Sequence, residues 1–395
     1  MRSAAARTSA YVGPGVSVMA LSWCGAGSCS APGSGSYVVP RFRILVSMLT
    51  GGQRAANGHG NGREQGERTM ADAAVEELER HRPELTRYCY GMLGSPFDAD
   101  DAVQETMVRA WRSSAAFEGR SSLRTWVYRI ATNVCLDLLA GRGRRARPVD
   151  LSAPAPGPLA PGDAPGAPRA SDVWIEPWPE RDPADVVLER ESVRLAFVAA
   201  LQGLAPRQRA VLLLRDVLLL PARDVAELMG TTTASVNSAL QRARTATAAR
   251  SAARTPSATP APSEAPAPPC DVQLALAARY AEAFERFDMA ALAMLLHVDA
   301  ALSLTPYPVW LRGPDAVRSW FTGPGVGCRG SRLVPVLANG APAYGQYRPC
   351  ADGTGYVPWA LHVLDIAGER IAGISTFLDT DRFFPRFGLP DRLDG

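Results

Sequence analysis

Two proline-rich stretches divide this chain into parts that are expected to fold separately. The first, 148–190, holds ten prolines in 43 residues, and the second, 255–269, consists mainly of Pro, Ala and Ser. Proline fixes φ and lacks a backbone N–H, so neither stretch is expected to form a packed core. We therefore predict linkers at 148–183 and 251–270, which separate folded parts at 70–147, 184–250 and 271–395.

The first 69 residues are rich in Gly, Ser and Ala and show no sustained hydrophobic period. Two interpretations stay open for them. Either they form a disordered extension, or the start is misplaced and Met70, which opens an acidic helical segment, is the initiator.

The charge is distributed unevenly although the formal net charge is only +3. Between 120 and 147, seven arginines stand against one acid, and between 207 and 254 eight arginines stand against three. Asp98, Asp100, Asp101 and Glu105 form a compact acidic patch outside these segments. Two basic faces and one acidic face indicate two kinds of partner.

Cysteine and histidine usage argues against a metal centre or a disulfide framework. The seven cysteines form no C-x-x-C pair, and there are four histidines. The sequence contains no apolar run of about 18 residues, so a membrane-spanning helix is not predicted. The sequence thus predicts a cytoplasmic protein without metal or cofactor.

The part from 71 to 145 follows a helical hydrophobic period. Gly94 is expected to end one helix, and Asp98 is expected to cap the next, whose acidic first turn suits the helix dipole. A break near Phe117 precedes a third long helix. An all-α domain is therefore predicted here.

The segment 221–244 has the pattern of a helix-turn-helix. Val225, Ala226, Leu228 and Met229 would face inward on a first short helix, and Gly230 permits a left-handed turn. On the second helix Val236 and Leu240 would face inward, while its polar and basic residues would face the major groove of DNA. The alternative is an ordinary helical hairpin.

Aromatic side chains alternate with arginines between Phe117 and Tyr128. Rings can stack on unstacked bases while arginine neutralises phosphate, so this pattern favours a single-stranded nucleic acid. The alternative places Phe117 and Trp126 in the core and the arginines on a solvated face.

Three runs of residues resemble the sigma-70 family of transcription initiation factors, of the extracytoplasmic-function (ECF) type. The run 98–111, DADDAVQETMVRAW, resembles the helix of that family that binds core RNA polymerase. The run 124–133, RTWVYRIATN, resembles the segment that melts and recognises the −10 promoter element. The run 204–215, LAPRQRAVLLLR, together with the helix-turn-helix, resembles the −35-recognising domain.

The resemblance implies a sigma factor that directs core RNA polymerase to promoter DNA, which is double-stranded apart from a melted −10 segment. Polymerase contacts are implied for Asp98, Asp101, Gln104, Glu105 and Arg109. Contacts to the −10 element are implied for Phe117, Arg120, Ser121, Arg124, Trp126, Asn133 and Asp137. Contacts to the −35 element are implied for Thr233, Ser235, Asn237, Ser238, Gln241, Arg242 and Arg244. Asn237 stands where many relatives carry a basic residue, which bears on the −35 preference.

Residues 271–395 change character, with one amphipathic helix followed by β-like runs at 333–337, 359–365 and 370–378. This order predicts an α+β domain on a curved sheet and resembles a SnoaL-like domain of the NTF2-like superfamily. Such domains form a cone with a pocket, for which the candidate residues are Tyr307, Trp310, His362 and Asp379.

Three hypotheses for the whole chain follow. The chain is a sigma factor whose C-terminal domain regulates it by docking or by sensing a small ligand. Alternatively, it is a fused enzyme that pairs His362 with Asp379 as base and acid. The third hypothesis is a repressor that binds DNA without polymerase. The acidic helix argues against it, because a repressor has no need of a polymerase-binding surface.

Overall fold

The computed structural model describes residues 76–114, 117, 122–155, 166–180, 195–253 and 269–395. The predictions for 1–69 and for Met70, and residues 254–268 of the second linker predicted at 251–270, lie outside the described residues. In the part of the chain that is described, no helix combines the length and the hydrophobicity needed to cross a bilayer.

The first folded part is an all-α unit, as expected. Its helices are α1 (Arg82–Leu93), α2 (Pro96–Arg112) and α3 (Leu123–Leu139). Gly94 ends α1 in the left-handed conformation, at φ 72°. The prediction that Asp98 caps α2 is wrong: Ser95 is the N-cap, Pro96 occupies the first turn, and the Ser95 hydroxyl accepts a hydrogen bond from the Asp98 N–H at 3.3 Å. Proline at the first helical position loses no hydrogen bond, so the helix begins one turn earlier than its acidic residues indicate.

In the second folded part, the described residues from 195 onward form four short or medium helices. They are α4 (Leu195–Gln202), α5 (Pro206–Leu212), which continues as a π-helical turn (Leu213–Val217), α6 (Ala222–Leu228) and α7 (Thr233–Ala253). Of the predicted inward residues, Val225, Ala226, Leu228, Val236 and Leu240 are buried, whereas Met229 is half-buried. The α6–α7 pair is therefore the predicted helix-turn-helix.

The two helical parts pack against each other at the C-terminal end of α1. The backbone carbonyls of Met92 and Gly91 accept hydrogen bonds from the side chains of Arg209 and Gln202. These carbonyls have no partner within their own helix, so α4 and α5 supply the missing donors. A Cβ on Gly91 would lie 3.1 Å from the Leu213 side chain, which shows how close the two parts approach.

The C-terminal part combines helices with one mixed sheet. The helices are α8 (Asp271–Glu285), α9 (Met289–Leu295), α10 (Pro314–Thr322) and α11 (Thr380–Phe383). The described strands are β1 (Pro179–Glu180), β2 (Leu296–Thr305), β3 (Trp310–Arg312), β4 (Arg332–Ala338), β5 (Ala341–Pro349), β6 (Tyr356–Ala367) and β7 (Arg370–Phe377). Their order is β1-β4-β5-β6-β7-β2-β3, and every neighbouring pair is antiparallel except β2 and β7.

This architecture confirms the expected multidomain class of two helical parts followed by an α+β part. The three predicted strand runs correspond to β4, β6 and β7, whereas β2 and β5 were not predicted. The expectation of an unstructured first linker is wrong for 174–180. There, Trp174 and Ile175 are buried, and Pro179 and Glu180 pair with Ala338 and Leu337 at the edge of the sheet.

The sheet has an apolar core on each of two sides. One core lies between the sheet and the helices α8 to α10, and includes Tyr280, Phe284 and Trp320. The other side of the sheet joins the core of the two helical parts through residues such as Tyr347 and Phe383. The C-terminal part is therefore packed onto the helical parts rather than tethered beside them.

Candidate nucleic-acid and polymerase interfaces

The helix-turn-helix presents an exposed polar face on α7. Gly230 makes the turn at φ 60°, and the Thr232 hydroxyl accepts a hydrogen bond from the Ser235 N–H at 3.2 Å, which caps α7. Val236, Leu240 and Ala243 anchor the opposite face. All seven residues predicted for the −35 element are exposed: Thr233, Ser235, Asn237, Ser238, Gln241, Arg242 and Arg244. The helix thus offers amide, hydroxyl and guanidinium groups to a groove.

The two arginines of that face differ in their surroundings. Arg244 donates two hydrogen bonds to the Asp216 carboxylate, at 2.8 and 2.6 Å, and this bonding raises the pKa of Arg244. Arg242 forms no hydrogen bond or ion pair with any described residue. Arg242 is therefore available to phosphate or to a base, while Arg244 must first exchange its carboxylate partner.

The residues predicted for the −10 element lie on and before α3. The ring centroids of Phe117 and Trp126 lie 5.1 Å apart with the ring planes tilted by 43°, and both side chains are half-buried. These aromatics are therefore neither fully in the core nor fully exposed to a nucleic acid. Asn133 is exposed, and Arg124 is bonded to Glu84. Arg120 and Ser121 lie outside the described residues.

Asp137, also predicted for the −10 element, is exposed and sits 3.3 Å from Arg109 of α2. Arg109 in turn donates to Glu105 at 2.7 Å. The structure therefore links two predicted polymerase contacts to a predicted DNA contact through one exposed network.

The five residues predicted to contact polymerase are not equivalent. Asp101 and Glu105 are exposed on α2, and Gln104 is half-buried. Asp98 is half-buried and forms ion pairs within its own chain, at 3.1 Å to Arg142 and 2.7 Å to Arg145. The Arg145 guanidinium is itself buried and donates to the backbone carbonyls of Ser171 and Trp174, at 2.8 and 2.6 Å. Asp98 therefore fastens the linker to the first helical part.

The C-terminal segment around α11 covers the start of α2. The Arg386 guanidinium lies 2.7 Å from the Asp100 carboxylate and donates to the Pro96 carbonyl at 3.1 Å. The Phe97 ring lies beneath two guanidinium groups, at 4.2 Å from Arg382 and 4.9 Å from Arg386. These contacts combine ion pairing with cation–π attraction.

These covering residues were not predicted from the sequence. A usable signal was present, because 382–387 (RFFPRF) alternates aromatics with arginines, the same pattern that drew attention to 117–128. The difference is the partner: here the cations and rings meet another part of the same chain.

A buried polar network holds the linker between the first helical part and the sheet. Glu176, 3% exposed, accepts hydrogen bonds from the Ser95 hydroxyl at 2.5 Å and from Arg382 at 2.7 Å. Tyr90 donates to the Glu176 carbonyl at 2.9 Å and accepts from the Asn339 amide at 2.9 Å. Burial raises the pKa of Tyr90 well above its ordinary value, so this phenol stays protonated as a donor.

The four residues proposed for a pocket in the C-terminal part are not brought into one site. The Trp310 indole N–H donates to the Ser152 carbonyl at 2.9 Å, and Tyr307 is buried just beyond the end of β2. His362 is 1% exposed and contacts Tyr280 and Gln346, at 2.7 and 3.0 Å. Asp379 instead lies 3.3 Å from Arg382.

The chemistry of His362 is that of a neutral buried group. Gln346 donates its amide N–H to the Ser331 hydroxyl at 2.9 Å, which leaves the Gln346 carbonyl to accept from His362 Nε2 and leaves Nδ1 to accept from Tyr280. Burial lowers the pKa of His362 to about 3. No described hydrogen bond joins His362 to Asp379, the pair that the enzymatic alternative requires.

One helical part carries an acidic face on α2, and the other carries a helix-turn-helix with a polar and basic face on α7. Together they define a DNA-binding factor of the sigma type. The family profile described as Sigma-70 region 2 matches residues 78–145, and that described as Sigma-70, region 4 matches residues 194–246. The ECF RNA polymerase sigma factor SigG of Mycobacterium tuberculosis is 44% identical over 340 residues, which cover 84% of this chain and 88% of SigG.

One solved structure is similar in fold to most of this chain, and a second matches a smaller part of it at a low TM-score. The crystal structure of the extracytoplasmic function sigma factor SigJ from Mycobacterium tuberculosis covers 80% of this chain and 99% of its own, with a TM-score of 0.51 and 22% identity. An NTF2-like protein of unknown function from Cytophaga hutchinsonii covers 28% of this chain and 94% of its own, with a TM-score of 0.22 and 10% identity.

This chain belongs to the ECF RNA polymerase sigma factors. Its function is to direct core RNA polymerase to promoters and to promote the initiation of transcription.

Proposed function

We propose that this sigma factor recognises the −35 element through the exposed face of α7, and this exposed polar face is the observation that carries the proposal. The residues assigned are Thr233, Ser235, Asn237, Ser238, Gln241, Arg242 and Arg244. Amides suit adenine and guanidinium suits guanine or phosphate in the major groove. The functional unit is 184–250, and it acts in the cytoplasm, where polymerase meets the chromosome.

We assign the −10 contacts and the polymerase contacts to the unit 70–147. The −10 residues are Phe117, Arg120, Ser121, Arg124, Trp126, Asn133 and Asp137. The polymerase contacts are Asp98, Asp101, Gln104, Glu105 and Arg109. Polymerase would hold both units on one promoter, so the linker at 148–183 supplies avidity rather than a new contact. Capture of unstacked bases would offset the cost of melting.

Run-off transcription with core RNA polymerase tests these assignments. The templates are GC-rich genomic fragments, including the DNA upstream of this gene. We expect initiation that depends on the protein, and we expect Gln241→Ala to reduce it at promoters with the cognate −35 sequence. Thr322→Ala is the control, because Thr322 is exposed on α10, outside the assigned DNA-binding unit. Equal activity of the two variants would refute the assignment of α7.

We further propose that the C-terminal domain, 271–395, regulates the factor by docking and has no catalytic activity. Its segment near α11 covers Phe97 and Asp100, which are adjacent in sequence to the assigned polymerase contacts Asp98 and Asp101, respectively. Docking also holds the linker, because Arg382 pairs with the buried Glu176. Polymerase binding at the start of α2 would therefore compete with the C-terminal segment.

Polymerase affinity of a charge-reversed factor tests this regulation. Arg382→Glu combined with Arg386→Glu places acids against Glu176 and Asp100, so we expect tighter binding to core polymerase and higher output. Truncation after Pro269 is the second variant, and it is expected to bind polymerase with altered output. If neither variant changes affinity or output, the C-terminal domain has a structural role only.

A further inference from the structure

A cavity of about 190 Å³ lies where the first helical part, the linker and the second helical part meet. Four arginines line it, Arg142, Arg144, Arg145 and Arg209, together with the carboxylates of Asp98 and Asp172. None of the functions assigned above explains why so many cations face one enclosed volume.

The charges around the cavity do not balance. The Asp98 carboxylate serves both Arg142 and Arg145, so one negative charge answers two positive charges. Asp172 is exposed and supplies the second negative charge. Two of the four positive charges are left without a counter-charge among the lining residues.

Arg209 contributes charge but no free donor. Its guanidinium is 3% exposed, and it donates to the Gln202 side chain and to backbone carbonyls of α1, α4 and the loop after α4. None of these partners is a carboxylate. Burial lowers the pKa of Arg209 to about 10, which leaves it protonated at neutral pH.

Arg144 contributes the free donor. Its side chain lines the cavity, is exposed, and forms no hydrogen bond or ion pair with any described residue. A guanidinium presents several N–H groups in a fork that matches two oxygens of a phosphate. The cavity is therefore lined by the buried, hydrogen-bonded guanidinium of Arg209 and by the exposed guanidinium of Arg144, whose N–H groups have no described partner.

We infer that this cavity binds the phosphate or diphosphate group of a small anion, with Arg144 as its principal ligand. A doubly negative group matches the two unbalanced charges. The volume is below the range of about 300–1,000 Å³ that drug-sized ligands occupy, so it fits a phosphate group rather than a whole nucleotide. A larger molecule would place only its phosphates inside.

The position of the site gives the anion a consequence. Its wall is made of residues from three segments, so the anion binds fully only while the two helical parts and the linker are packed together. A ligand that binds one state better than another shifts the population toward that state. The anion would thus stabilise the compact form of the chain.

Isothermal titration of the full chain with sodium pyrophosphate, at constant ionic strength, tests the site. We expect saturable binding at one site and a rise in Tm with pyrophosphate concentration. Arg144→Ala should weaken binding at least tenfold, and Asp172→Asn should tighten it because a repelling charge is lost. Arg207→Ala is the matched control, since it removes an exposed charge on α5 outside the cavity.

The outcomes separate a built site from general attraction. Absence of saturable binding, or equal weakening by Arg144→Ala and Arg207→Ala, would overturn the inference. So would loss of duplex DNA binding in Arg144→Ala without any pyrophosphate binding, which would make the cavity a DNA-backbone contact. Tighter binding of guanosine diphosphate than of pyrophosphate would show that the site takes the phosphates of a larger molecule. Similar affinities for the two would show that it takes a free phosphate ion. None of these measurements requires polymerase, so they stand apart from the test of sigma activity.

Discussion

The Nη2 atom of Arg386 lies 2.7 Å from the Oδ2 atom of Asp100, and this pair ties the end of the chain to the first turns of α2. Asp100 is half exposed, so the ion pair alone contributes at most about 1 kcal/mol. The cation–π contact of Arg386 with Phe97 adds a similar amount. We expect Arg386→Glu to raise amide hydrogen exchange in 383–389 by up to about tenfold.

A charge swap provides the control for that experiment. Asp100→Arg combined with Arg386→Glu restores an opposite pair and should restore most of the protection. Exchange that is equally fast in the single and the double variant would show that the ion pair does not hold the segment.

The buried Glu176 carboxylate makes Arg382 more important than its exposure indicates. Arg382→Ala leaves Glu176 with the Ser95 hydroxyl as its remaining side-chain partner among the described residues. We expect a loss of about 1–3 kcal/mol in the free energy of unfolding, measured by urea denaturation. Arg318→Ala is the matched control, because the Arg318–Asp315 pair is exposed and 3.6 Å long, and its loss should cost less than about 0.5 kcal/mol.

Asp98 and Asp101 lie on the same helix and should respond differently to the same change. Asp98→Asn removes the carboxylate that pairs with the buried Arg145, so it should destabilise the fold by about 1–3 kcal/mol. Asp101→Asn is expected to leave the stability within about 0.5 kcal/mol while lowering polymerase affinity. Unfolding curves and polymerase titrations of the two variants measure both effects, and equal stability would contradict the structural role of Asp98.

Asn133 is exposed on α3, and its side chain forms no hydrogen bond with a described residue. We expect Asn133→Ala to slow promoter opening, measured by permanganate reactivity of the −10 segment, with little change in polymerase affinity. The reason is that a base-contacting amide acts only after the bases leave the stack. Equal loss of opening and of polymerase binding would refute its assignment to the −10 element.

His362 predicts a specific pH dependence. Its pKa falls from 6.5 to about 3 in the folded chain, so above pH 6.5 both states are neutral and nothing changes. Below pH 6.5 His362 is protonated in the unfolded chain, whereas in the folded chain it stays neutral down to about pH 3. The free energy of unfolding therefore falls by about 1.4 kcal/mol per pH unit in this range. Urea denaturation at pH 6.5 and pH 5 should therefore show a loss of about 2 kcal/mol from this group.

His362→Gln is the comparison, because glutamine keeps polar atoms near Tyr280 and Gln346 but does not titrate. Its stability should fall less steeply over the same pH interval, by the amount that His362 contributes. An identical slope in the two proteins would show that His362 is not buried in its neutral form.

Local signals were sufficient for the helices and for the order of the domains. The helix-turn-helix was predictable because Gly230 and the apolar residues Val236 and Leu240 lie within a few positions of each other. The strands β2 and β5 were missed because their residues are largely small or apolar on both faces, so no alternating pattern marks them. Asp98 was misplaced as a cap because its charge is a stronger sequence signal than Ser95 before a proline.

Long-range partners could not be predicted in the same way. Nothing near Glu176 in the sequence indicates that Arg382, 206 positions away, neutralises it. The same holds for Tyr90 and Asn339, which are separated by 249 positions. The acidic residues of α2 were interpreted as a surface for another protein. In the structure, two of them already pair with arginines of the same chain: Asp98 with Arg145, and Asp100 with Arg386.

The two-residue strand β1 belongs to the linker but lies in the sheet of the C-terminal domain, beside β4. Such a short strand is a removable cover for a sheet edge. If the linker were released, the backbone groups of Leu337 and Ala338 would lose their partners in β1 and could pair with another extended segment. The proline that opens β1 limits how far the pairing can extend. Release of β1 and exposure of the β4 edge would therefore occur together. The exposed edge is a place where another polypeptide could add a strand.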